Sequence, residues 1–167
     1  IELWSRMYEE KAPWLHNTDN ANIPATIAGE IARLTTLELQ SKVEGSPRAE
    51  CMDAVYQQVL GKLRVQTEYA FAKGSMVFKP YITPDGTIAV QYIQADMFFP
   101  LDFDSEKMTR CAFLDQFRKG NEIYSRIELY SLSGDVLSIK NHVFIARTEG
   151  ILGTEVPIGT VPRWAEL

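Results

Sequence analysis

The sequence of 167 residues predicts an α+β fold, and three observations carry that prediction. Apolar residues recur at helical spacing up to Gly74 and in alternation after it. Turn formers punctuate the second half at hairpin spacing. Consecutive hairpins imply antiparallel pairing, because a parallel pair needs a long crossover between its strands. The expected architecture is one domain. It comprises helices over about 2–11, 24–44 and 47–73, a curled antiparallel meander of about five strands within 75–146, and an extended tail over 147–167.

The first helix rests on Leu3, Trp4, Met7 and Tyr8, and Pro13 closes it. The polar run 14–23 reads as a loop. Pro24 suits the first turn of the second helix, where its missing N–H is no loss. Ile27, Ile31 and Leu34 give the apolar stripe, and Gly45 is the expected stop. Ser46 is the expected N-cap of the third helix, ahead of Pro47. Its broad apolar face is Met52, Val55, Tyr56, Val59, Leu60 and Leu63, and Gly74 ends it.

Alternation then predicts a hairpin over 75–93, turning at Pro84-Asp85-Gly86, with Pro80 marking an edge strand or a bulge. A second hairpin pairs 109–117 with 122–131 around Lys119-Gly120-Asn121. Gly134 turns the chain into a further strand over 136–146. Gly150, Gly153, Pro157, Gly159 and Pro162 make the remainder read as an extended tail.

Hydrophobic residues are 46% and charged residues 23% of the chain, close to a soluble globular domain. A chain of this size buries roughly 70% of its unfolded surface. The net charge of -5 and the scatter of the basic residues, whose longest cluster is Arg118-Lys119, argue against a phosphate-clamping role. Cys51 and Cys111 lack metal-ligand spacing and are expected to be buried free thiols in a reducing compartment. No run approaches the about 18 apolar residues that span a bilayer, and a cytosolic context is expected. Because Ile1 is not an initiator methionine and helix begins at once, the sequence is expected to be a piece of a longer chain.

Signs of chemistry are sparse, and no catalytic, cofactor-binding or metal-binding residue is expected. Nucleophilic catalysis needs a nucleophile beside a base. His16 falls in the polar loop, and His142 falls on the strand face opposite Val143 and Ile145, toward solvent. Lys73-Gly74-Ser75 follows a helix and precedes a strand, the wrong order for a phosphate loop. Asp102 and Asp104 read as a solvated acidic loop. Trp4, Tyr8, Trp14, Phe98 and Phe99 lack basic neighbours that would make them base-stacking platforms, and read as core or subunit contacts.

From about residue 51 onward the order of phrases is distinctive. Ala-Phe-Ala-Lys-Gly-Ser-Met-Val-Phe-Lys-Pro-Tyr (70–81) leads to Tyr-Ile-Gln-Ala-Asp-Met-Phe-Phe-Pro-Leu (92–101) and Thr-Arg-Cys-Ala-Phe (109–113). Tyr-Ser-Arg-Ile-Glu-Leu-Tyr (124–130), Val-Phe-Ile-Ala (143–146), Leu-Gly-Thr-Glu-Val-Pro-Ile (152–158) and Arg-Trp-Ala-Glu-Leu (163–167) follow. The succession resembles portal proteins of tailed double-stranded DNA phages, in the branch frequent in prophages of Gram-positive bacteria. It spans most of the chain and is weakest over 1–24.

The resemblance implies a structural subunit with no catalysis. It would belong to a ring of about twelve copies at one capsid vertex, serving DNA packaging, ejection and head assembly. This stretch would correspond to the N-terminal wing. The implied partners are other portal subunits and the capsid or scaffolding protein, with the terminase and head-tail connector reached through regions outside this sequence. DNA would pass through the ring without direct binding here. No cofactor and no membrane are implied, and the location would be the virion, or the host cytoplasm during assembly. Val161, Trp164 and Leu167 are expected to be exposed and to contact another subunit or domain, so that removing 160–167 should leave the fold intact. The alternative is a non-enzymatic α+β protein-binding module of phage or bacterial origin.

Overall fold

A computed structural model of the chain describes residues 1–15 and 21–165. The fold is α+β, with helices first and antiparallel sheets after them. It divides into two compact units, Ile1–Asp96 and Met97–Leu167, where the sequence suggests one domain.

The first unit carries α1 (Glu2–Tyr8), α2 (Ile23–Thr36), α3 (Pro47–Lys73), β1 (Met76–Ile82) and β2 (Ile88–Gln94). Helix α1 stops short of residue 11 because Glu10 takes a positive φ of 59°. Asn22 caps α2 by accepting the Ala25 N–H at 3.4 Å. Helix α2 ends at Thr36, well before residue 44. The Thr35 and Thr36 hydroxyls donate back to the Ile31 and Ala32 carbonyls, and α3 side chains satisfy the segment that follows. Asp53 accepts the Val43 N–H at 2.8 Å, and Gln57 donates to the Ser41 carbonyl at 2.9 Å. The Val43 N–H, followed by the Gln57 amide, holds the Asp53 carboxyl below its ordinary range.

Helix α3 matches its expected bounds. Ser46 accepts the Ala49 N–H at 3.2 Å, and Gly74, at φ 90°, donates its N–H to Ala70. The stripe Val55, Tyr56, Val59, Leu60 and Leu63 is half-buried, whereas Met52 stays exposed. Cys51 is exposed rather than buried. Ala49 takes the inward side of this end of α3, and a residue two positions on lies on the opposite side of a helix. Small residues, Ala28 and Ala32, bring α2 close against α3.

Strands β1 and β2 form an antiparallel hairpin, from Met76 opposite Gln94 to Ile82 opposite Ile88. Thr83, Asp85 and Thr87 knit its turn, and the Thr83 hydroxyl holds the Asp85 carboxyl below its usual range. Pro80 sits in β1 as an edge residue. This hairpin is a two-stranded sheet of its own, not part of the longer meander.

The second unit is a meander of β3 (Phe98–Asp104), β4 (Lys107–Lys119), β5 (Glu122–Ser133), β6 (Val136–Ala146) and β7 (Thr154–Val156), in that spatial order. The expected strands at 109–117 and 122–131 are present and longer, and the one at 136–146 has its expected bounds. The outer two replace an expected loop and part of the expected tail. Pro100 suggests a break, yet β3 pairs with β4 alone among the described residues, and an edge strand tolerates proline. The ladder shifts register on both sides of Asp102.

The core of this unit is Val143, Val161 and Trp164, backed by Phe117, Tyr124, Val156 and Ile158. Val161 and Trp164 are each only 2% exposed, which corrects the expectation that they face outward. A 3-10 turn over Ile158–Thr160, with Val161 bonded to Ile158 and Trp164 to Val161, folds the tail back onto the sheet. Leu167 lies outside the described residues. Gly153 permits this return. Its φ is 82°, and a Cβ there would overlap the Ile145 carbonyl. Gly153→Ala is therefore expected to lift β7 and destabilise the unit by about 3 kcal/mol, from backbone strain plus overlap. Urea unfolding followed by fluorescence measures it; an unchanged midpoint would contradict this close approach.

Candidate interaction surfaces

In the first unit α1, α2 and the last turn of α3 enclose an apolar groove of about 390 Å³. Trp4, Met7 and Tyr8 come from α1 at spacings of three and four, the geometry that puts them on one helical face. Ile27 and Ile31 follow the same rule on α2, and Phe71 closes the end. The Trp4 ring lies close over Gly74, where a Cβ would come within 3.2 Å of it. The Tyr8 hydroxyl donates to Glu68 at 2.6 Å. Burial, then that carboxylate, push its ionisation well above the usual tyrosine range. Tyr8 is thus a committed neutral donor, and the groove is suited to taking up an apolar group.

Around the buried tail of the second unit stands a charged cluster. Trp164 Nε1 donates to Asp115 at 3.0 Å, with Arg126 at 3.8 Å and Arg163 at 3.7 Å from the same carboxylate. Arg126 lies over the Trp164 ring and Arg163 over Phe117. The cluster orients the tail, so its residues belong to the fold.

The residues singled out in the sequence do not converge. Asp102 stands opposite Arg110 and Asp104 opposite Lys107 on the β3–β4 ladder, so they lie on a strand and not in a loop. His142 is half-exposed on β6 and bonds Glu155 of β7 at 2.7 Å. His16 lies outside the described residues. Cys111 is half-buried on β4. Lys73-Gly74-Ser75 is the end of α3 and its cap. Among the described residues no three His, Cys, Asp or Glu side chains gather as a metal site, and no helix is long and apolar enough to cross a membrane.

Phe98 packs against Phe113 at 5.2 Å, as the core reading expects, whereas Trp4, Trp14 and Phe99 are exposed. The groove itself was foreshadowed by the spacing of Trp4, Met7 and Tyr8. The pairing of Lys73 with Asp96 and the assembly around Asp115 carry no local signal. No protein-family model, curated protein or solved structure matches this chain.

Proposed function

We propose that this chain is a non-catalytic structural subunit of a phage portal ring, the wing part, which meets neighbouring subunits and capsid or scaffolding protein. The ordered phrases between residues 70 and 167 suggest that reading. The observation that carries it is the total surface left open, with many large apolar side chains in it. The chain exposes 11839 Å², against about 10,000 Å² for two separate globules of these two sizes. Leu3, Trp4, Ile27, Leu34, Phe71, Phe99 and Phe103 are among the exposed large side chains. Where such side chains adjoin, they form apolar surface that assembly would cover. Light scattering and negative-stain microscopy of the protein expressed from its natural reading frame test the proposal. A ring of about a dozen subunits with a central channel is the expected result, and a compact monomer or dimer at every concentration would overturn it.

The α1–α2–α3 groove favours a second reading, a protein-binding module that presents a preformed apolar slot. A stable monomer that takes up an apolar helix in that slot would bring this reading forward.

A further inference from the structure

The two edges of the five-stranded sheet are finished differently. The β3 edge is guarded. Pro100 removes a donor, the ladder shifts register around Asp102, the Asp102 side chain takes the Phe103 N–H at 2.9 Å, and Asp102 and Asp104 add charge. Each is a device by which sheets avoid pairing with another chain. The β6 edge has few of them. Strand β7 covers only Val143–Ile145. Over 136–142 no strand lies on the outer side among the described residues, so the outward N–H and C=O groups of that stretch form an open ladder. The side chains there are Val136, Leu137, Ser138, Ile139, Lys140, Asn141 and His142, and Val136 is 70%, Leu137 54% and Ile139 48% exposed.

We propose that this edge pairs antiparallel with the same edge of a second copy of the chain, about a two-fold axis at Ser138, joining two sheets into one. The register follows from the faces. A two-fold axis normal to the sheet keeps each face continuous, so residues that meet must have the same parity. With the axis at Ser138, Leu137 meets the partner's Ile139 twice on one face. On the other face Val136 meets the aliphatic stem of the partner's Lys140 twice, and Ser138 meets its own counterpart. Asp135, at the strand entry, falls opposite the partner's Asn141, so no like charges face each other across the axis. The alternative axis at Ile139 sets Leu137 against asparagine and Val136 against His142, which already bonds Glu155. The Ser138 axis also ends the partner's strand at Lys140, two residues short of β7, leaving room for the turn at Pro157. This contact joins like to like, whereas a ring contact joins two different patches, so it stands apart from the portal reading.

The test is sedimentation equilibrium of the 167-residue chain and two variants, with circular dichroism as the folding control. The wild type is expected to show a concentration-dependent dimer. Val136→Lys places two lysine pairs across the axis and is expected to weaken that dimer about tenfold or more. Val136→Lys combined with Lys140→Glu turns the same pairs attractive and is expected to restore it. Val136 and Lys140 are both exposed, so the sheet itself tolerates the changes. A wild type that stays monomeric at millimolar concentration overturns the proposal. So does a dimer indifferent to Val136→Lys, or a double variant no tighter than the single one.

Discussion

Trp164→Ala is expected to destabilise the Met97–Leu167 unit by about 4 kcal/mol, the range for removing a buried tryptophan. The ring is 2% exposed and meets Phe117 edge-on at 5.1 Å. Its indole N–H holds Asp115. The loss therefore combines a cavity under the tail with a carboxylate that no longer has its neutral donor. Trp164→Phe separates the two contributions. It keeps most of the apolar contact and loses the hydrogen bond, with an expected cost of about 1.5 kcal/mol for that bond. Removing 160–167 takes Val161 as well and is expected to exceed the single alanine change. Urea unfolding of the three variants gives the order. If the truncated chain matched the wild type, the tail would be an appendage, as the sequence had suggested, and not a core element.

Lys73→Ala is expected to cost about 3 kcal/mol in the Ile1–Asp96 unit. Lys73 is 7% exposed, and its Nζ lies 2.7 Å from Asp96 Oδ2. The other oxygen of Asp96 is buried and has no partner among the described residues. Removing the cation leaves a partly buried carboxylate uncompensated, which in a fully buried pair costs roughly 3–5 kcal/mol. The Asp96 side chain is 32% exposed, so solvent screening brings the figure to the lower end. Lys73 also stands in the last turn of α3, where positive charge offsets the helix dipole. Replacing both partners, Lys73→Met with Asp96→Leu, is expected to be close to neutral, because no charge is then stranded. Thermal unfolding followed by far-ultraviolet circular dichroism checks this. Equal losses in the single and double variants would show that the pair acts through packing alone.

The first helical residues and the hairpin turns were legible in the sequence because their causes are local. Ser46 caps α3 from one residue before it, Pro24 and Pro47 occupy first turns, and Gly74 supplies the left-handed stop. Asp85-Gly86 and Gly120 turn the chain by their own backbone preferences. The apolar face of α1 was also legible, since helical spacing puts Trp4, Met7 and Tyr8 together wherever α1 packs.

The end of α2 was not legible. Nothing in residues 37–44 forbids helix as Gly or Pro would. The side chains of Asp53, Tyr56 and Gln57, ten to sixteen residues away, hold that segment in another form. Asp102 and Asp104 read as a loop for a related reason. Whether Pro100 breaks a strand depends on whether the strand has one neighbour or two, and that is a property of the sheet.

The sequence by itself determined the fold class, the Ser46 and Gly74 caps of α3, the hairpin turns and the alternation of β4, β5 and β6. Only the tertiary structure decided that the first hairpin stands as its own sheet, that β3 and β7 complete the other, and that Val161 and Trp164 turn inward. Local propensity reaches a few residues along the chain. The burial of Trp164 depends on Phe117, Tyr124 and Val143, far away in sequence, offering an apolar sheet face once the chain has folded.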